Sequence, residues 1–259
     1  MNRVVLTLSG SLRKPSFTEK MLDICIEGMG KDLELHKFYP HKMDIKPCTG
    51  CWTCWKKTKG QCVQKDDFQK IVDVYVRADY FLIAAPLYYF SFPATVKNVI
   101  DRFFCFLEPA QQASSRGGTE HLKRGDHHPK TVLISSCGFP EFENFDLLRS
   151  LFRRICEDMD WPHAGEILVP AAGAANAPKL FDKKLERIRQ AGSQLVKDGI
   201  PPDTTKVIAQ PVMPVEDYRA MCTANFSGLL GKAKAAAIVM KAINWKPPSD
   251  DHVDETSNN

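Results

Sequence analysis

Four cysteines with the spacing Cys48-x2-Cys51-x2-Cys54-x7-Cys62 form the densest chemical signal in the sequence. The chain has nine cysteines, and four of them lie within these fifteen positions. Thiolates are soft ligands that suit iron–sulfur clusters and zinc. Three at this spacing can wrap one face of a cubane cluster, and a fourth a short loop away completes the ligand set. Zinc is the weaker reading, because its sites usually pair two C-x2-C knuckles that lie far apart. Disulfides are disfavoured if the chain works in a reducing compartment. A cysteine-rich loop closed by packing alone stays open as the bland alternative.

A second constellation is Ser9-Gly10-Ser11-Leu12-Arg13-Lys14-Pro15-Ser16-Phe17-Thr18. Hydroxyls at 9, 11, 16 and 18 and the Arg13 guanidinium can face one turn, and a helix opening near Phe17 adds free N–H donors and a partial positive charge. That makes room for one phosphate. It is neither a Walker loop nor a dinucleotide fingerprint, and a Ser-rich turn with an N-cap is the structural alternative. The segment Pro86-Leu87-Tyr88-Tyr89-Phe90-Ser91-Phe92-Pro93 offers apolar and aromatic surface for a flat ring, unless these rings simply cover the core. In Ser135-Ser136-Cys137-Gly138-Phe139-Pro140 the small residues would let backbone N–H groups approach such a ring. One phosphate and one flat ring describe flavin mononucleotide (FMN). The candidate cofactor set is Ser9, Ser11, Arg13, Ser16, Phe17, Thr18, Pro86, Leu87, Tyr88, Tyr89, Phe90, Ser136, Cys137 and Gly138.

The elements that must position these residues alternate. Val4 to Leu8, Tyr80 to Ala85, Thr131 to Ser135 and Ile167 to Val169 are short, nearly continuous apolar runs, as expected of strands buried on both faces, and Leu33 and Leu35 mark a more peripheral strand. Between them, Phe17 to Met29, Phe68 to Val76, Val96 to Phe104, Leu148 to Met159 and Phe181 to Leu195 carry apolar residues at helical spacing. Five strand–helix units imply a flavodoxin-like, doubly wound α/β fold: a five-stranded parallel sheet with helices on both faces. In that order the first and third strand ends are neighbours, so the phosphate loop and the aromatic loop share one edge. Residues 1–200 are expected to form this domain, with the cysteine-rich loop at 47–63. Residues 201–245 are expected to add a helical extension, and 246–259 a polar, disordered tail. The polar stretch Glu108 to Lys130, with His121, His127 and His128, reads as a mobile lid or an oligomer contact rather than a metal site. Cys25, Cys105, Cys156 and Cys222 read as thiols packed like small hydrophobes.

The phosphate loop resembles that of NAD(P)H-dependent FMN reductases. Ala85-Pro86-Leu87-Tyr88-Tyr89, followed by Lys97 and Ile100-Asp101-Arg102-Phe103, is similar to their second FMN loop and its helix. Within that fold, the cysteine spacing before Asp66-Asp67 resembles the iron–sulfur flavoproteins, which carry FMN and a [4Fe-4S] cluster. It departs from bacterial ferredoxins, which have a three-residue gap and Cys-Pro where this chain has seven residues and Cys62-Val63. The resemblance implies an FMN-dependent oxidoreductase, with NAD(P)H or a reduced carrier as electron donor and Cys48, Cys51, Cys54 and Cys62 as cluster ligands. It also implies a homo-oligomer, and a ferredoxin-like or other redox partner is possible. The flavin carries the chemistry, so no catalytic side chain is assigned. Three rivals remain: a cluster-free NAD(P)H:quinone or flavin reductase, an electron carrier without a substrate of its own, and a flavin-binding structural or regulatory protein.

Composition narrows the class further. Of 259 residues, 44% are hydrophobic and 25% charged, enough for a real core. A net charge of +4 is too small to argue for nucleic acid. The longest uncharged run, Tyr80 to Val96, contains Pro86 and Pro93 and falls short of a membrane span. With no secretory signal visible, the cytoplasm is the expected location.

Overall fold

The computed structural model describes residues 2–177 and 179–247. The first half runs β1 (Arg3–Ser9), α1 (Phe17–Met29), β2 (Leu33–Phe38), α2 (Thr53–Lys56), α3 (Phe68–Tyr75), β3 (Tyr80–Ala84) and α4 (Ala94–Arg102). The second half runs β4 (Leu107–Ala113), β5 (Thr119–Lys123), β6 (Lys130–Ser136), α5 (Asp146–Asp158), β7 (His163–Val169), α6 (Asp182–Leu195), α7 (Pro202–Ala209), α8 (Val215–Asn225) and α9 (Gly228–Ala242). Five parallel strands form one sheet in the order β2-β1-β3-β6-β7. The flavodoxin-like fold expected from the alternating pattern is the one observed. The winding reverses at β1, which opens a crevice at the carboxyl ends of β1 and β3.

The apolar runs are strands because both faces of the sheet are covered. Along β3, Tyr80, Leu82 and Ala84 enter one core while Phe81 and Ile83 enter the other, and Val132 and Ile134 against Leu133 repeat this on β6. The first core is closed by α1 and α6, through Met21, Leu22, Ile188 and Leu195. The second is closed by α3, α4 and α5, through Ile71, Val96, Val99, Leu148 and Phe152. Helices α1 and α6 cross with their backbones in contact: a Cβ on Gly192 would lie 2.0 Å from the Cys25 carbonyl oxygen.

The helices beyond residue 200 are built into the first core. Ile208, Met213, Tyr218, Met221 and Ala235 are buried in the same cluster as α1 and α6, and the Thr205 hydroxyl donates to the Glu166 carbonyl on β7 at 2.6 Å. The tail expected at 246–259 lies outside the described residues from 248 onward.

Part of the polar stretch at 108–130 is an antiparallel ribbon, β4 against β5, where the sequence suggested a loop. Its residues are mostly polar on both faces, so the period-2 alternation that reveals a half-buried strand is missing. Gly117 and Gly118, at φ 90° and 81°, make the reversal.

Candidate functional site

Loops leaving β1, β3, β6 and β7 enclose a cavity of about 340 Å³ at the carboxyl edge of the sheet. Ser11, Arg13, Ser16, Phe17 and Thr18 line it from the first loop, Pro86, Leu87 and Tyr88 from the second, and Ser136, Cys137 and Gly138 from the third. The loops are tied across the sheet: Gly10 N–H donates to Ala84 O at 2.8 Å, Leu87 N–H to Ser136 O at 2.9 Å, and Cys137 N–H to Val169 O at 3.0 Å. The Thr18 and Ser136 hydroxyls meet at 2.7 Å. Gly10 is required by this closeness, since a Cβ there would come within 2.4 Å of Val96 Cγ2.

Three of the residues singled out from the sequence lie outside the lining. Ser9 is the last residue of β1 and is buried at its end. Tyr89 is 98% exposed and Phe90 is also exposed. They form the tip of a tight turn closed by a Tyr88–Ser91 bridge, with φ 49° and 65°, and side chains at such a tip leave the loop body. An apolar sequence run cannot separate the residue at the base of a turn from those at its tip.

The electrostatics of the cavity favour an anion. Arg13 is the single charged residue lining it among the described residues, and its guanidinium makes no ion pair among them. Ser16 caps α1: its Oγ accepts the Glu19 N–H at 3.2 Å, which leaves the hydroxyl proton free to donate. Burial pushes the Cys137 thiol up, so it stays protonated beside the cavity.

Sequence reasoning missed the fourth wall. Ala172, Gly173, Ala175 and Asn176, after β7, line the cavity too. The only sequence signal there is a run of alanine and glycine that lets the backbone approach. Reasoning also missed Tyr218 on α8. Its hydroxyl donates to the Gly138 carbonyl and accepts the Gly173 N–H at 3.2 Å, joining the loops after β6 and β7. Burial, and then the Cys222 thiol beside it, push its acidity far from the physiological range.

The four clustered cysteines are brought together. Cys48, Cys51, Cys54 and Cys62, with the buried Cys105, line one small cavity of about 20 Å³. Cys48 and Cys51 are exposed, Cys54 and Cys62 half-buried, and all are free thiols. Burial raises Cys54, and the neighbouring Cys62, Cys51 and Cys48 add to that. Hydrogen bonds from Thr53 and Thr49 lower Cys51. Among the described residues no group of three His, Cys, Asp or Glu side chains is already drawn in to metal-binding range. The donor set nevertheless fits an iron–sulfur cluster: four soft thiols around one space, two of them free to turn inward. The space itself is about one water in size, so a cluster would occupy volume that the thiols now fill. Aromatic rings wall the loop, with Trp55 stacked on Phe104 at 4.6 Å and tilted on His121 at 4.9 Å.

A larger cavity, about 530 Å³, lies along the outer edge of β7. There Arg149 and Arg153 hold the buried Glu166 at 2.8 and 3.0 Å. Burial would raise this carboxyl, but His163 and the two arginines bring it down to about 2. These charges satisfy one another.

A doubly wound parallel sheet with an anion-ready cavity at its reversal point defines the flavodoxin-like class of α/β proteins. Residues 4–142 match the family model for NADPH-dependent FMN reductase, and the chain belongs to that family. Over 124 residues it is 32% identical to an iron-sulfur flavoprotein of Archaeoglobus fulgidus, an alignment covering 48% of this chain and 56% of that one. The chain spans about half the length of the curated relatives it matches. Among solved structures, an NAD(P)H:quinone oxidoreductase from Methanothermobacter marburgensis superimposes with TM-score 0.54 at 18% identity, over 75% of this chain and 100% of that one. An FMN-dependent NADH-azoreductase from Bacillus anthracis, solved with FMN, gives TM-score 0.53 at 12% identity, over 76% and 100%. These two likenesses establish the fold. Among the described residues no helix is long and apolar enough to cross a membrane.

Proposed function

We propose that the chain is an FMN-dependent oxidoreductase that draws electrons from NAD(P)H or a reduced carrier and delivers them to an acceptor by way of a [4Fe-4S] cluster. The carboxyl-edge cavity carries this reading: four loops enclose about 340 Å³ around Arg13, which has no ion pair among the described residues. Bound FMN supplies hydride uptake and one-electron release, and a bound cluster supplies a one-electron relay.

The chain's residues have defined tasks in this reading. Arg13, the Ser11 and Ser16 hydroxyls and the N–H groups opening α1 hold the phosphate. Pro86, Leu87 and Tyr88 cover one side of the ring, and the Cys137–Gly138 backbone approaches it from the next loop. Cys48, Cys51, Cys54 and Cys62 hold the cluster. Lys46, Lys56, Lys57, Lys59 and Lys65 lie within or beside the cysteine segment in sequence and suit an acidic redox partner, whose docking weakens with salt. Tyr89, with Phe139 at 63% exposure, gives the cavity rim an apolar surface that a second copy of the chain would cover. A reducing, cytoplasmic compartment keeps the thiols free.

The small size of the cysteine cavity favours a second reading, a cluster-free NAD(P)H:quinone or flavin reductase. A visible spectrum of anaerobically purified protein, with flavin and iron counted per chain, separates the two. One FMN and four irons are expected. FMN without iron, with undiminished NAD(P)H oxidation, establishes the second reading, and FAD or no flavin overturns both.

A further inference from the structure

We propose that Arg102 sets the redox level of the cysteine centre, its free Nε–H being available to the sulfurs of the cavity it lines. The inference rests on the reading that Cys48, Cys51, Cys54 and Cys62 hold an iron–sulfur cluster.

Arg102 is the last residue of α4 and is 2% exposed, the largest fully buried side chain among those described. A buried cation is costly unless paired, and Asp66 pairs it. One terminal nitrogen donates to Asp66 Oδ2 at 2.7 Å and to the Lys46 carbonyl at 2.7 Å, and the other donates to Asp66 Oδ1 at 3.1 Å. Asp66 also accepts the Lys46 N–H at 3.0 Å and the Phe68 N–H at 3.1 Å. These bonds account for both carboxylate oxygens and pin the two ends of the cysteine segment to α4. They leave the buried Arg102 Nε with no partner. Buried donors without a partner are rare in folded proteins and call for an explanation.

The unpartnered donor belongs to a side chain that lines the cysteine cavity. Cys62 lines the same cavity, with Cys48, Cys51 and Cys54. Thiolate sulfurs in a cluster carry negative charge, which grows when the cluster gains an electron. Hydrogen bonds to the sulfurs and nearby positive charge then favour the reduced state, and such outer contacts set the potential. Asp66 works in the opposite sense by offsetting the guanidinium charge. The step concerned is the gain of one electron from the flavin or an external donor, with no bond made or broken in the chain. Arg102 is therefore a positioning residue that acts through the cysteine ligands.

A purely structural account would have Arg102 only fasten α4 to the loop. The test compares wild type, Arg102→Lys and Asp66→Asn, each reconstituted with iron and sulfide under anaerobic conditions. Iron content, FMN content and cluster midpoint potential are read for each. Lysine keeps the charge and can still reach Asp66, but it has no Nε donor. Its cluster is expected to retain iron while the equilibrium for reduction falls about tenfold, 59 mV for one electron. Asp66→Asn leaves the guanidinium uncompensated, and its potential is expected to rise. The shifts have opposite signs, so either variant decides the matter if the other fails to fold. Iron-loaded variants with the wild-type potential overturn the role of Arg102 and leave the cluster reading standing. Wild type that takes up no iron overturns the cluster reading, and this inference with it.

Discussion

The carboxyl-edge cavity encloses about 340 Å³ behind loops tied strand to strand, whereas the cysteine cavity encloses about 20 Å³ behind a loop whose first two thiols are exposed. The first is rigid by continuity. Bonds such as Gly10 N–H to Ala84 O and Ala172 N–H to Cys137 O, each 2.8 Å, extend the sheet's connections into the loops. The second is hydrogen-bonded at its ends, by Asp66 on Lys46 N–H and by Gln64 on the Pro47 carbonyl at 2.9 Å, and its middle is held by side-chain packing of Trp55 on Phe104. Within the loop the bonds are local, such as Gly60 N–H to Cys54 O at 3.0 Å. The difference follows from how each cofactor would be held. A flavin is bound by many weak contacts, and its cradle must exist beforehand or its ordering is charged against affinity. Thiolate–metal bonds are strong enough to order the loop that makes them. A cradle formed before binding and a loop ordered by its metal are what these two modes of bonding favour.

The sharpest way to break that comparison is to remove one thiol. Cys51→Ser is expected to reduce iron from four per chain to near background while FMN stays bound, because the two linings share no residue among those described. Iron assay and flavin release on the same sample decide it. Loss of FMN together with iron would show that the two regions form one cooperative site. Chelation of the wild-type protein should reproduce the variant.

Arg13→Ala tests the other region. Losing a charge-assisted bond to phosphate is expected to weaken FMN binding by about 1.5–3 kcal/mol, roughly 10- to 150-fold. Riboflavin has no phosphate and should bind both proteins equally, and iron content should not change. Equal loss for FMN and riboflavin would place Arg13 at the ring or in the fold instead of at the phosphate.

A pH effect probes what supports the flavin cradle from behind. Lys184 is buried on α6 and donates to the carbonyls of Ile208 and Gln210, where the chain leaves α7 for α8. Burial pushes its ammonium down to about 7 from the usual 10.5. Between those values the unfolded chain holds a proton that the native chain has released, so native stability rises with pH through this window. The slope from this one group reaches about 1.4 kcal/mol per pH unit. Urea unfolding at pH 6.5 and 9.5 is expected to show that rise in wild type and to lack it in Lys184→Met. Equal slopes in the two proteins would mean that the two carbonyls keep the ammonium charged throughout.

Legibility in the sequence followed locality. The five sheet strands could be read because a strand covered on both faces is apolar at nearly every position, as Val5, Leu6 and Leu8 are. The β4–β5 ribbon could not, since most of its residues, such as Gln111, Gln112 and Thr119, are exposed and no apolar alternation marks it. The phosphate loop was legible from hydroxyls and a guanidinium within ten residues, and the cysteine loop from its spacing. Arg102 was read only as part of a helix motif, because its meaning comes from Asp66, 36 positions away. The wall after β7 is alanine and glycine apart from the single amide of Asn176, too little side-chain chemistry to stand out. Tyr218 is 80 positions from the carbonyl it holds, and no pattern in a single sequence reports such a contact.

Tyr218 supplies the smallest expected effect and the most specific test of how finished the flavin cradle is. Its ring is buried in the core shared with α1 and α6, so the loss of one hydroxyl leaves the packing in place. In Tyr218→Phe the Gly138 carbonyl and the Gly173 N–H both lose a partner, and the loops after β6 and β7 are no longer joined through α8. A neutral hydrogen bond contributes about 0.5–1.5 kcal/mol, so FMN affinity is expected to fall roughly two- to twelvefold. In the proposed arrangement Tyr218 supports the ring side of the cavity, so riboflavin should lose as much as FMN, and this separates Tyr218 from Arg13. Iron content should be untouched. Unchanged binding of both flavins would mean that the backbone bonds from Cys137 and Ala172 hold the loops by themselves, and the residues beyond 200 would then support the fold without shaping the site.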